Sequence, residues 1–172
     1  MTPEFSRIER LDAIGGEERR VAIAADATER AALAARFGLV SVDRLEGVLT
    51  VVREGHGIAV RGRVTADVVQ ACVATGEPVP AAVDEPVALL FVASNAVGEE
   101  EIELAADALD TVEIEGGGID LGEAAAETMA LALDPFPRSP VAAAVLKEAG
   151  VKSEDEVATG PFAGLKQALE RE

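Results

Sequence analysis

The segment 42–75, "VDRLEGVLTVVREGHGIAVRGRVTADVVQACVAT", decides the fold. It holds two strand-like patterns separated by "GHG" at 55–57. Successive strand residues point to opposite faces, so a half-buried strand alternates apolar with polar side chains. Ile58, Val60, Val64, Ala66 and Val68 keep even spacing, with Arg61, Arg63 and Asp67 between them. The run 42–55 places Leu45 and Val48 around Gly47, where an irregularity is expected. Two such runs joined by a glycine-bounded turn predict a β-hairpin.

Further strands are predicted on both sides of this hairpin. "EFSRIERL" (4–11) and "RRVAIAA" (19–25) precede it, separated by the Gly15–Gly16 turn. "VDEPVALLFVAS" (83–94) follows, starting near Pro86, and its apolar run suggests burial on both faces. Two helices carry clear signals. Asp26 with Glu29 three residues on reads as a capping box for 27–38, with Ala31, Leu33, Ala34 and Ala35 toward the sheet and Gly38 as C-cap. Asp120 with Glu123 does the same for a helix at 120–137, whose stripe is Leu121, Ala125, Met129 and Ala132/Leu133, stopped by Pro135 and Pro137. "VAAAVLKEAG" (141–150) suits another helical turn or two, and a weak helix is expected from about Pro161. The resulting class is α+β: a mostly antiparallel sheet, able to curve into a partial barrel, with two main helices and a weak C-terminal one. One domain over 1–140 with an acidic loop around 95–118, and a helical appendage over 141–172, is the expected organisation.

The core must be built from small side chains. The 172 residues include five Phe and no Trp or Tyr. The net charge of −17 is unevenly spread. Residues 1–75 carry ten Arg against eleven acids, whereas 76–172 carry five basic residues against twenty-one acids. The second half would repel a phosphate backbone and attract a basic protein. DNA is therefore not an expected partner. No apolar run is long enough to span a membrane, and the charged N-terminus lacks the apolar stretch of a secretory signal. With one cysteine and so no internal disulfide, a cytoplasmic location is expected.

Little in the chain assembles into reaction chemistry. His56 is the single histidine and Cys72 the single cysteine, which excludes a zinc site and leaves no nucleophile–base set. "GGGIDLGE" (116–123) precedes a helix N-terminus, but Glu113, Glu115, Asp120 and Glu123 would repel phosphate. A flexible hinge into a capped helix is the expectation there. Glu123 and Glu127, four apart, fall off the apolar stripe and read as a solvated face. Neither a cofactor nor a metal is expected. Arg44, Arg53, Arg61 and Arg63 lie on strands or near the hairpin turn. Sharing a face, they would form a basic patch suited to phosphate; alternatively they pair with Glu46, Glu54 and Asp67 across strands.

Three stretches together resemble a known family. "CVATGEPV" (72–79), "IDLGEAAAETMALALDPFPRSP" (119–140) and "GPFAGLKQAL" (160–169) are similar to the YceD family, the large ribosomal RNA subunit accumulation proteins. "ERAALAARFGLVSVDRLEGVL" is similar to its alphaproteobacterial branch. The residues carrying the likeness are Cys72, Glu77, Pro78, Asp120, Leu121, Gly122, Glu123, Pro161 and Phe162. Thr75 stands where many members have a second cysteine, so no metal site carries over, and Cys72 reads as a small buried strand or strand-end residue. Gly160 replaces the usual Asn of the final segment.

The resemblance implies a part in 23S rRNA accumulation and large-subunit assembly, with a ribosomal protein or pre-50S particle as partner. Family genes commonly neighbour that of a small basic large-subunit ribosomal protein. The charge split suggests two sides: Glu99, Glu100, Glu101 and Glu103 toward a basic partner, and Arg44, Arg53, Arg61 and Arg63 toward rRNA. The two other readings are a general acidic adaptor and, less in keeping with the residues, an enzyme acting on rRNA.

Overall fold

A computed structural model of the chain describes residues 3–55, 57–93, 109–114 and 116–152. The hairpin is its centre. β3 (Ser41–Glu54) and β4 (Gly57–Ala71) pair antiparallel along nearly their whole length, and β4 pairs antiparallel with β5 (Pro78–Ala93). β2 (Arg19–Ala24) closes one side on β3, and β6 (Asp110–Ile114) joins the far side by running parallel to β5. The five-stranded order is β2-β3-β4-β5-β6, and no described ladder closes β2 onto β6. A separate two-stranded ribbon pairs β1 (Ile8–Arg10) with β7 (Gly118–Asp120). The fold is α+β, mostly antiparallel, with α1 (Ala27–Phe37), α2 (Leu121–Ala132) and a short α3 (Ala142–Glu148).

One face of the sheet is buried. Leu45, Leu49, Val51, Val60, Val64 and Val68 form it and are at most 2% exposed. Leu33 of α1 and Leu121, Ala125 and Met129 of α2 pack against it with no exposed surface. Each of the Val, Leu and Met side chains among them contributes about 1.5–3 kcal/mol on leaving water. Small residues on α2 let helix and sheet approach closely, which a core without Trp or Tyr requires.

Several expectations shift in position. The irregularity in β3 falls between Val42 and Arg44, while Gly47 pairs without interruption with Ile23 and Val64. Gly47 lies on the inner face, where a Cβ would come within 3.0 Å of the Ile23 side chain. Its lack of a side chain serves packing, not a bulge. On α1 the buried residues are Leu33 and Ala34, with Ala31 and Ala35 exposed, because the cap sets the helix phase about 30, 33, 34 and 37. The first strand is shorter than 4–11, since Leu11–Ala13 turn into a single 3-10 turn. β5 begins at Pro78, ahead of the expected 83. Its Pro78, Pro80 and Pro86 share one parity in an unbroken ladder with β4, so their missing N–H groups all fall on the opposite side. Among the described residues β6 covers only Leu89–Ala93 and no other strand covers the proline-bearing stretch on that side. The expected hinge at 116–119 is in part a paired strand, β7. Its Gly118 stands where a Cβ would meet the Glu9 carbonyl at 2.7 Å.

Candidate functional site

The family-motif residues within the described chain gather at the two ends of α2. At its N-terminus Asp120 caps the helix, accepting from the N–H groups of Gly122 (3.0 Å) and Glu123 (3.2 Å). The same carboxylate holds the N-terminal segment. It accepts from the Arg7 N–H at 2.7 Å and from the Ser6 hydroxyl at 2.5 Å. Leu121 is fully buried, and its N–H donates to the Arg7 carbonyl at 3.0 Å. Gly122 has no room for a side chain, since a Cβ would lie 2.5 Å from the Phe5 carbonyl oxygen. Glu123 does not complete a capping box. It reaches Arg36 of α1 with two bonds, 2.9 and 2.6 Å, in bidentate geometry. That pairing, together with Glu4, raises the Arg36 pKa further. Beside it, Arg7 forks onto Glu29 at 2.7 and 2.9 Å and holds that carboxyl below its usual range.

At the other end of α2, the β4–β5 turn is fastened to residues 134–142. Cys72 follows directly on β4 and is 3% exposed. Its Sγ accepts the Ser139 N–H at 3.2 Å, and Val73 N–H donates to the Pro137 carbonyl at 2.9 Å. Gln70, also buried, donates to the Asp134 carbonyl at 2.8 Å. Thr75 and Ser139 hydroxyls lie 3.2 Å apart and both reach Glu77, at 3.1 and 2.7 Å. The Ser139 N–H first, then the Thr75 hydroxyl, pull the Cys72 thiol down to about 6 against the lifting effect of burial. Each hydroxyl carries one proton, however, and Glu77 competes for both. The cluster offers one thiol and one carboxylate, too few for a tetrahedral zinc site. Among the described residues no three His, Cys, Asp or Glu are grouped as metal ligands.

The arginines divide. Arg44, Arg61 and Arg63 stand on the outer, solvent face of the sheet with Arg20, while Arg53 is on the opposite side of β3. All four expected residues are engaged within the chain. Arg44 bonds Asp67 (2.8 Å) and Glu46 (3.2 Å), Arg61 forks onto Glu54 (2.9 and 3.0 Å), and Arg63 meets Asp84 (2.6 Å). Arg53 bonds the Leu11 and Ile14 carbonyls. Arg20 has no ion-pair partner among the described residues. His56, Glu99, Glu100, Glu101, Glu103, Pro161, Phe162 and the expected C-terminal helix lie outside the described residues.

A feature that the sequence did not single out lies in front of α2. A groove of about 900 Å³ opens between β5–β6, the β1–β7 ribbon and the first half of α2. Leu89, Phe91, Val112 and Ile114 give it an apolar floor, and Arg10, Glu113, Asp120, Glu123 and Glu127 also line it. Its only sequence signal was the short pattern "VEI" beside a glycine run. No described helix is long and apolar enough to cross a membrane.

An α+β domain whose motif residues serve as fastenings about one helix is the class that these observations define. Residues 60–168 match the model of the family described as large ribosomal RNA subunit accumulation protein YceD. The chain belongs to that family. The match starts within β4, so the likeness noted at 29–49 lies ahead of it. No curated protein and no solved structure matches this chain.

Proposed function

We propose that this chain is a non-enzymatic factor that supports 23S rRNA accumulation and assembly of the large ribosomal subunit, acting by holding a basic ribosomal protein or a pre-50S particle. The family match carries the reading. The charge distribution supports a binding role, since the residues from 76 onward hold twenty-one acids against five bases. The motif residues support it too: Asp120, Gly122, Cys72 and Glu77 are committed to holding the fold. Binding belongs to the domain over 1–140 with its acidic segment, including Glu99, Glu100, Glu101 and Glu103, and 141–172 is its appendage. Contact of Arg44, Arg61 and Arg63 with rRNA is the secondary part of the reading, since each would exchange an internal carboxylate for a phosphate. Arg53, tied to two carbonyls on the other face, takes structure as its role in this scheme.

The test is depletion and restoration of the protein, read by sucrose-gradient ribosome profiles and 23S rRNA quantification. Lost free 50S particles and lowered mature 23S, both restored by the chain, are expected. A normal profile at normal and low temperature would sink the proposal and favour an adaptor unrelated to ribosomes. Reversing the charges over 99–115 should weaken capture of ribosomal proteins.

A further inference from the structure

The groove in front of α2 is bordered by two strands that follow one another yet do not pair. β6 ends at Ile114 and β7 begins at Gly118, with a turn carrying Gly116 at φ 76° between them. So short a connection ordinarily makes a hairpin. Here β6 belongs to the large sheet and β7 to the ribbon with β1. Consecutive residues of both strands and of their turn line the space between. Ile8 of β1, 66% exposed, stands at its margin.

Shape and charge select the occupant. Among the described residues β6 has no partner on its second edge. Such an edge over an apolar floor takes an extended segment, whose alternate side chains enter the groove. Four acids and one arginine line it. A phosphate backbone is disfavoured by that sign. So are a second copy of a chain of net charge −17 and the chain's own 94–108, which has five acids and no base. Glu127 is exposed and has no ion-pair partner among the described residues.

We propose that this groove binds an extended, lysine- or arginine-bearing segment of a partner protein, with apolar side chains on Leu89, Phe91, Val112 and Ile114 and basic ones toward Glu127 on α2. This deepens the binding role above and rests on it for the biological partner.

The experiment uses the full chain and a fluorescent twelve-residue peptide alternating lysine with valine. A second peptide carries glutamate in place of lysine. Binding of the lysine peptide is expected, weakening as salt rises, with the glutamate peptide at least tenfold weaker. Glu127→Lys, at an exposed position, should weaken the lysine peptide about tenfold or more. Glu148→Lys makes the same change in net charge away from the groove and should leave most of the affinity. Equal losses in the two variants would mean a non-specific attraction and overturn the groove. So would binding of the glutamate peptide, or of an RNA oligomer in its place, with equal affinity. Circular dichroism of each variant guards against misfolding; should Glu127→Lys fail to fold, Glu127→Gln carries the test. The functional reading fails separately, if the wild-type chain does not restore 23S rRNA in depleted cells.

Discussion

The two ends of α2 are tied down by different chemistry. At Asp120 the fastening is ionic and directional: one carboxylate takes four donors, and Glu123 forks onto Arg36. At Cys72 it is a net of one thiol, two hydroxyls and one carboxylate around backbone groups. The second contains a thiol whose hydrogen-bond donors lower its pKa to about 6. The same helix is therefore held by fixed charged pairs at one end and by a titratable thiol in a hydroxyl net at the other.

Breaking the Asp120 clamp should have the largest effect. Asp120→Ala removes a cap and two anchors of the N-terminal segment, and a loss of about 2–3 kcal/mol is expected. Urea unfolding reads it, and limited proteolysis should show the first eighteen residues cut early. A change under about 0.5 kcal/mol would mean that the N-terminal segment is held by Phe5 and Leu121 alone. A smaller effect is expected for the ion pair. The Arg36–Glu123 coupling in a double-mutant cycle should be about 0.5–1 kcal/mol, because both side chains remain partly solvated. Its neighbour Glu29, whose pKa is lowered, stabilises the fold above its ordinary value of 4.5, and that stability goes as pH falls through the folded pKa.

The effect at the other end has the opposite practical range. The Cys72 thiol is lowered from 9.0 to about 6, so the fold favours its ionised form. An acid shifted downward adds stability as pH rises from the folded value to the unfolded one, here from about 6 to 9, and the gain vanishes below. The urea midpoint of the wild type should therefore climb relative to that of Cys72→Ala across this window. Parallel curves would show that Glu77 keeps both hydroxyl protons.

How much of this was legible depends on distance along the chain. The β3–β4 hairpin, both helices and the Asp26 and Asp120 caps were readable, because turn glycines, alternation and capping are all local. The alternation of Arg61 and Arg63 with the apolar residues of β4 was local, whereas whether Arg44 and Arg53 share their face was left open, and the break between Val42 and Arg44 leaves no local trace. The pairing of Ile8–Arg10 with Gly118–Asp120 and the meeting of Cys72 with Ser139 join residues far apart in sequence. No local pattern encodes such meetings. Glu123 shows the limit most plainly: its spacing from Asp120 is that of a capping box, and Arg36, 87 positions away, draws it elsewhere. The groove was missed for the same reason, since its walls come from four separate stretches.

The prolines of β5 have a consequence for how the chain is made. β5 is complete at Ala93, but its neighbour β6 begins only at Asp110. At synthesis rates of roughly 5–20 residues per second, the long hairpin waits about one to three seconds for that neighbour. During the wait its outer edge faces every other nascent chain on the same messenger. Pro78, Pro80 and Pro86 present no N–H on that edge, which interrupts any ladder that a neighbouring copy would build there. The proline-free stretch from Leu89 to Ala93 stays receptive, and the next described strand is the one that completes it.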